Sequence, residues 1–117
     1  MILIIGGKGA GKTEYVQSLG YQTQDLSDNP YDPKPVLTHL EAFIRSCAVE
    51  PSSLLQTLLS KEVILCDEIG SGIIPADPAD TKWRENVGYT LRALSPHASS
   101  VIRLICGIPV CIKGELP

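Results

Sequence analysis

Several signatures that would place this 117-residue chain in a particular class are missing from it. The net charge is −3, and the lysines and arginines are scattered rather than grouped in a basic run. The composition therefore gives no reason to expect a nucleic-acid backbone as partner. No apolar stretch approaches the roughly 20 residues that a membrane-spanning helix needs, and the apolar N-terminus lacks the basic leader and cleavage site of a signal peptide. We therefore expect one cytoplasmic domain over residues 1–117.

The cysteines carry no recognisable metal or redox pattern. Cys47, Cys66, Cys106 and Cys111 include no C-x-x-C pair and no histidine at zinc-ligand spacing. Three of them lie inside apolar runs, where cysteine behaves as a small hydrophobe. We expect buried, reduced thiols.

The strongest pattern that is present occupies the first thirteen residues. Met1 to Ile5 is apolar throughout, as in a strand buried on both faces, and it leads directly into GGKGAGKT. This is the phosphate-binding, or Walker A, pattern G-x-x-x-x-G-K-[ST] between a strand and a helix. We expect its eight residues to bind the phosphates of ATP or GTP, and no motif distinguishes the two bases. They are Gly6, Gly7, Lys8, Gly9, Ala10, Gly11, Lys12 and Thr13.

Each part of this pattern has a chemical purpose. Gly6, Gly9 and Gly11 permit the positive φ angles and close approach that let backbone N–H groups surround an anion, and the N-terminus of the following helix adds further donors. Lys12 is expected to reach the β- and γ-phosphates, and the Thr13 hydroxyl to bind Mg²⁺. The alternative is a glycine-rich strand-to-helix turn that binds nothing.

A second buried strand, Val63 to Cys66, ends at two acids, Asp67 and Glu68. Ligands of nucleotide-binding α/β sheets collect beyond the strand ends, so either acid is a candidate to hold Mg²⁺ or to orient the attacking hydroxyl. The alternative is a pair of solvated loop carboxylates. The stretch after them, 69–75, places apolar residues between glycines, which suits a loop that closes over a ligand or packs on another subunit.

The remaining patterns predict alternating helices and strands. We expect a short strand at Tyr21 to Leu26 and a helix from Val36 to Ala48, whose apolar stripe excludes Glu41 and Arg45. Further helices are expected from Pro51 and from Asp77-Pro78, the second carrying Trp83 on its apolar face and ending at Pro96. Val101 to Cys106 reads as a third apolar strand, followed by a turn at 107–109.

A three-residue link cannot hold a parallel crossover, so Val110 to Ile112 is expected to be an antiparallel edge strand. Together these elements predict an α/β protein of the P-loop NTPase type. This is a three-layer sandwich with a mainly parallel sheet and helices on both faces. The chain is short for an enzyme with two substrates, so we expect an oligomer in which a neighbouring subunit completes the site.

Three segments in order resemble one family, the adenosylcobinamide kinase / adenosylcobinamide-phosphate guanylyltransferase of cobalamin biosynthesis. They are residues 4–13, then DEIGSGIIP over residues 67–75, then CGIPVCIK over residues 106–113. The resemblance covers about half of the chain. It implies a cyclic homotrimer and a transferase that moves the γ-phosphoryl group of ATP or GTP to the hydroxyl of adenosylcobinamide. It also implies that Lys12 neutralises the transferring group, that Thr13 and Asp67 hold Mg²⁺, and that Glu68 acts as base or orienter.

The chain also departs from that family. Members are longer, and the histidine-containing segment that accepts GMP has no clear counterpart here, so the resemblance supports the kinase more than the guanylyltransferase. His39 is the one histidine placed early enough to accept a guanylyl group; alternatively it packs on or caps a neighbour. A nucleotide-gated binding module without corrinoid turnover, and a kinase for another small metabolite, are the competing functions.

Overall fold

The apolar runs form a mostly parallel six-stranded sheet in an α/β fold. The structure, a computed structural model, describes residues 1–46, 50–69 and 77–117. The strands are β1 (Ile2–Gly6), β2 (Leu26–Ser27), β3 (Val36–Leu37), β4 (Val63–Asp67), β5 (Ser100–Ile105) and β6 (Ile108–Lys113). The helices are α1 (Lys12–Ser18), α2 (Leu40–Ser46), α3 (Pro51–Leu59) and α4 (Pro78–Leu94), with 3₁₀ turns at Thr23–Asp25 and Ser95–His97.

The order of the strands places β1 and β4 side by side at the centre. The sheet runs β2-β3-β4-β1-β5-β6, and every pair is parallel except β5 and β6. Gly6 is in register with Asp67 on one side and with Leu104 on the other. The carboxyl ends of the central strands therefore meet at one edge of the sheet, where the Gly6–Thr13 loop begins.

Alternating side chains of the strands divide the core between the two faces of the sheet. Ile4 and Leu65 pack with Val16 of α1 on one face. Leu3 and Ile64 pack on the other face with side chains from the remaining three helices, such as Leu58 and Val87. Because both faces are covered, the central strands are apolar throughout rather than alternating, as expected for parallel strands.

Several predicted elements are confirmed. The first strand lies one residue later than Met1 to Ile5, β4 extends to Asp67, and α3 begins at Pro51. Asp77 caps α4, where its carboxylate accepts a hydrogen bond from the Ala79 amide at 2.8 Å. The C-terminal run pairs antiparallel with β5, and its turn lies at Cys106-Gly107.

The prediction of one helix from Val36 to Ala48 is wrong at its start. Val36 and Leu37 form β3, which pairs with both β2 and β4, and α2 begins only at Leu40. Val36 and Leu37 are fully buried and join β2 to β4 in the sheet. These tertiary contacts outweigh the helical spacing of the apolar residues. The predicted strand from Tyr21 to Leu26 is also wrong in most of its length, because a 3₁₀ turn precedes the two-residue strand β2. Cys47 and Ala48 of the predicted helix, and residues 70–75 of the stretch predicted to close over a ligand or pack on another subunit, lie outside the described residues.

The side chain of Lys113 ties the C-terminal hairpin to the end of α4. Its ammonium group donates to the carbonyls of Ser95, Pro96 and Ala98 at 3.0, 3.0 and 2.8 Å. A cation suits this position, because carbonyl groups at the end of a helix lack partners within the helix. Within the described ranges, no helix is both long and apolar enough to cross a membrane.

The expectation that the cysteines are buried holds only for Cys66 among the three that the structure describes. Cys66 is fully buried, Cys111 is half-buried and Cys106 is exposed in the β5–β6 turn. Cys106 and Gly107 both have positive φ, at 52° and 76°, as a two-residue hairpin turn with right-handed strand twist requires. The apolar run that contains Cys106 therefore ends in a turn rather than in the core.

These environments predict different thiol reactivities. Burial raises the pKa of the Cys66 thiol to about 12, so little thiolate forms at neutral pH. We expect iodoacetamide to alkylate Cys106 in the folded protein while Cys66 stays unmodified, as read by peptide mass spectrometry. In urea both should react. Alkylation of Cys66 without urea would contradict its burial.

Candidate functional site

The Gly6–Thr13 loop connects β1 to α1 and uses its glycines in two ways. Gly9 and Gly11 have φ angles of 80° and 91°, in the region that side chains disfavour. Gly6 is needed for space instead, because a Cβ atom there would lie 3.0 Å from the carbonyl oxygen of Leu104. The expected positive φ therefore occurs at two of the three glycines, and the close approach occurs at the third.

Few of the amides in this loop are used within the protein. The Ala10 amide donates to Gly7 at 3.1 Å, and the Gly107 amide donates to Ala10 at 2.9 Å, which ties the loop to the β5–β6 turn. The amides of Lys8, Gly9 and Gly11 donate to no acceptor in the described part of the chain. The loop therefore presents free donors at the edge of the sheet, the arrangement that suits an anion.

Lys12 and Asp67 meet at the centre of this edge. The Lys12 ammonium lies 2.7 Å from Asp67 Oδ1, and it donates to the Gly6 and Gly7 carbonyls at 3.0 and 2.9 Å. The Lys12 side chain is only 11% exposed and that of Asp67 24%. Asp67 Oδ2 has no donor among the described residues, and the exposed Thr13 side chain lines the same cavity. A free carboxylate oxygen and a hydroxyl are ligands that fit Mg²⁺.

Glu68 is placed differently from its neighbour. Its two carboxylate oxygens lie 2.9 Å from Arg103 Nη2 and 3.2 Å from Arg103 Nε, a two-point ion pair. Its amide donates to the Gly6 carbonyl at 2.9 Å. The structure brings Lys12, Asp67 and Thr13 around one cavity and leaves Glu68 out of it.

Glu41 is a site residue that the sequence analysis missed. Its side chain is 5% exposed, and its carboxylate accepts from the Asp67 amide at 3.2 Å and the Ala42 amide at 3.2 Å. Burial and the nearby Asp67 raise the pKa of the Glu41 carboxyl group. The prediction that it lies outside the apolar stripe is wrong, because Glu41 is buried together with Leu40 and Ile44 of α2. No feature of the sequence pointed to it.

The indole of Trp83 connects α4 to the backbone of Glu41. Trp83 Nε1 donates to the backbone carbonyl of Glu41 at 2.8 Å. The guanidinium carbon of Arg45 lies 4.5 Å from the centre of the Trp83 ring, and Arg45 also pairs with Asp80 at 2.6 Å. Trp83 thus packs against the core, as predicted, and also forms a wall of the cavity.

His39 lies between β3 and α2 and is exposed. Its Nδ1 is 2.9 Å from Asp28 Oδ1, the same oxygen that accepts a hydrogen bond from the Thr38 hydroxyl. The hydrogen bond to Asp28 raises the pKa of the His39 ring, while the Thr38 and His39 hydrogen bonds lower the pKa of Asp28. His39 does pair with a neighbour, although it does not pack in the core. Its role as guanylyl acceptor stays a hypothesis.

These elements enclose a cavity of about 520 Å³ between the loop and the start of α2. Its lining includes Lys8, Lys12, Thr13, His39, Glu41, Arg45, Asp67 and Trp83. A second cavity, of about 550 Å³, lies between Pro30 and Glu62, away from this loop. There the buried Lys61 ammonium already donates to the carbonyls of Asp32 and Lys34, so the first cavity is the better candidate site.

No protein-family model matches the chain, and no curated protein matches it at a significant level. No cluster of three or more histidine, cysteine, aspartate or glutamate side chains suited to a metal ion occurs in the described ranges. The family resemblance therefore depends on the three sequence segments alone.

The contacts of Glu41 predict a measurable cost when its side chain is removed. Glu41→Ala should lower the free energy of unfolding by about 1–3 kcal/mol, because the half-buried Asp67 amide loses its acceptor. Urea denaturation followed by the fluorescence of Trp83, the single tryptophan, measures this. Glu14→Ala is the matched control, since Glu14 lines the same cavity but is exposed. Equal losses in both variants would contradict the assignment.

Proposed function

We propose that this chain is a P-loop phosphotransferase that uses ATP or GTP and Mg²⁺ to phosphorylate adenosylcobinamide. The observation that carries the proposal is the 2.7 Å pair of Lys12 and Asp67 at the carboxyl ends of β1 and β4. In this arrangement a cation from the glycine-rich loop and an acid from the neighbouring strand face one cavity. Phosphoryl transfer depends on such positioning and charge stabilisation.

The residues of the site have different proposed roles in binding the phosphates and Mg²⁺. The free amides of the loop bind the triphosphate, and Lys12 exchanges its carbonyl and Asp67 partners for phosphate oxygens. Asp67 and Thr13 hold Mg²⁺, which when bound neutralises charge on the β- and γ-phosphates. Glu68 stays with Arg103 and supports the end of β4, so we do not assign it the base or orienting role that the resemblance implies.

Only the resemblance to the cobalamin family supports adenosylcobinamide as the phosphoryl acceptor. Another small metabolite with a hydroxyl group is compatible with the same loop and acid. A nucleotide-gated binding module without turnover is the alternative from a different class. Such a module would bind a partner through Ile73 and Ile74 of the stretch 69–75, and these two residues lie outside the described residues.

We also propose a homo-oligomer, a trimer by the resemblance. What supports an assembly is an apolar surface on the terminal hairpin formed by Ile105, Ile108, Val110 and Ile112, which are between 45% and 64% exposed. The register of β5 and β6 places Ile105 opposite Ile108, so these side chains share one face of the sheet. Exposed apolar surfaces of this kind commonly mark interfaces.

The nucleotide part of the proposal is tested by isothermal titration with ATP and GTP in the presence of Mg²⁺. Lys12→Ala should weaken binding about 100-fold, because a charge-assisted contact to the phosphates is lost. Lys82→Ala is the matched control for the loss of one lysine, and it should bind nearly as the unaltered protein does, since Lys82 is an exposed residue of α4 that does not line this cavity. Adding adenosylcobinamide should increase nucleotide consumption.

The outcomes separate the alternatives. Tight nucleotide binding with consumption unaffected by adenosylcobinamide would favour the binding module or a different acceptor. No binding of either nucleotide would end the proposal.

The assembly is tested separately by light scattering. Val110→Lys should shift the mass of the particle toward a monomer, because it places a charge in the centre of the hairpin surface. Arg92→Ala on the exposed side of α4 is the control. A monomeric unaltered protein would remove the oligomer from the proposal.

A further inference from the structure

The Asp28–His39 pair occupies the same edge of the sheet as the Lys12–Asp67 pair. His39 follows β3, Asp67 ends β4 and the Gly6–Thr13 loop follows β1, and these three strands are neighbours in that order. His39, Asp67 and Lys12 line one cavity. The imidazole therefore lines the same cavity as the acid, and the strand that precedes it lies on the side of β4 away from β1.

The pair has the geometry of an oriented histidine. Nδ1 lies 2.9 Å from Asp28 Oδ1, and Asp28 is itself fixed by the Thr38 hydroxyl. When Nδ1–H donates to the carboxylate, the neutral ring keeps its lone pair on Nε2. Nε2 has no partner among the described residues. A carboxylate that fixes the tautomer in this way also stabilises the imidazolium when the ring takes up a proton.

The backbone of His39 is held in an uncommon conformation. Its φ is 54°, and the other described non-glycine residue with positive φ, Cys106, is explained by its hairpin turn. His39 is in no hairpin. Its position is fixed instead by the Thr38 amide, which donates to Ser27 at 2.9 Å, and by its own carbonyl, which accepts from Ala42 and Phe43. Such outliers persist where the surroundings hold them, often at functional sites.

We propose that His39, oriented by Asp28, is the general base that takes the proton of the acceptor hydroxyl during phosphoryl transfer. This rests on the function proposed above. The O–H bond breaks and its proton passes to Nε2, while the oxygen forms a bond to the γ-phosphorus. The bond from that phosphorus to the β–γ bridging oxygen breaks, and the nucleoside diphosphate leaves with its electron pair.

The charges around the ring set the pH range in which it can act. The hydrogen bond to Asp28 raises the pKa of His39, and Glu41 and Asp67 act in the same direction. Lys12, Lys8, Arg45 and Glu14 line the same cavity, and two of these cations, Lys12 and Arg45, are already paired with Asp67 and Asp80. A base works in its neutral form, so the rate should rise with pH through a pKa above the ordinary value of 6.5.

The experiment is the pH dependence of kcat/KM for phosphorylation of adenosylcobinamide. His39→Gln should remove the limb that rises with pH and lower kcat by about 10²–10⁴-fold, the usual share of a general base. Asp28→Asn should move that limb to lower pH, because the ring loses the carboxylate that raises its pKa. His97→Gln is the matched control, because His97 lies in the 3₁₀ turn after α4. The proposal would be overturned if the limb that rises with pH is still present in His39→Gln. It would also be overturned if Asp28→Asn leaves the pH of that limb unchanged.

Nuclear magnetic resonance of the imidazole nitrogens tests the pair without turnover. In the unaltered protein the neutral His39 ring should carry its proton on Nδ1. The midpoint of its pH titration should move to lower pH in Asp28→Asn. A non-hydrolysable ATP or GTP analogue with Mg²⁺ should shift the His39 signals and leave those of His97 unchanged. If no acceptor is phosphorylated, the proposed kinase function is wrong. If the nucleotide analogue also leaves the His39 signals unshifted, the proposal that His39 is the general base is overturned as well. An intact mass raised by one GMP, and lost in His39→Gln, would identify a nucleophile instead and also overturn it.

Discussion

The pairing of Lys12 with Asp67 is the interaction around which this molecule is arranged. It exists because β1 and β4 are parallel neighbours with Gly6 in register with Asp67, so the start of the loop and the end of β4 are level. Both side chains are largely shielded from water, where opposite charges attract more strongly than at the surface. The same ammonium closes on the carbonyls of Gly6 and Gly7 and thereby holds the loop against the sheet.

The acid in this pair is positioned by a second carboxylate. Glu41 accepts from the Asp67 amide, and its backbone carbonyl accepts from Trp83, so one residue of α2 links the end of β4 to α4. A buried carboxylate is costly unless its oxygens are hydrogen-bonded, and here both accept from backbone amides. Arg45 stacks on Trp83 in the lining of the same cavity, to which His39 and Asp67 also contribute.

Much of the fold was predictable because it depends on local signals. Five apolar residues before a glycine pattern predict β1, and the proline and capping carboxylate at Asp77-Pro78 predict the start of α4. The errors occurred where tertiary contacts outweigh local preference. Val36 and Leu37 have helical spacing with the residues that follow, yet they pair with β2 on one side and with β4 on the other.

The sequence by itself determined the glycine-rich loop, the lysine and hydroxyl that end it, the acid after the second long strand and the alternation of strands and helices. These follow from spacing and from residue chemistry over short stretches. Only the tertiary structure decided that Asp67 reaches Lys12 while Glu68 pairs with Arg103. It also decided that Glu41 and His39, the latter paired with Asp28, line the same cavity. The reason is physical: these contacts connect segments that strand order and register bring together, and neither is encoded in local periodicity.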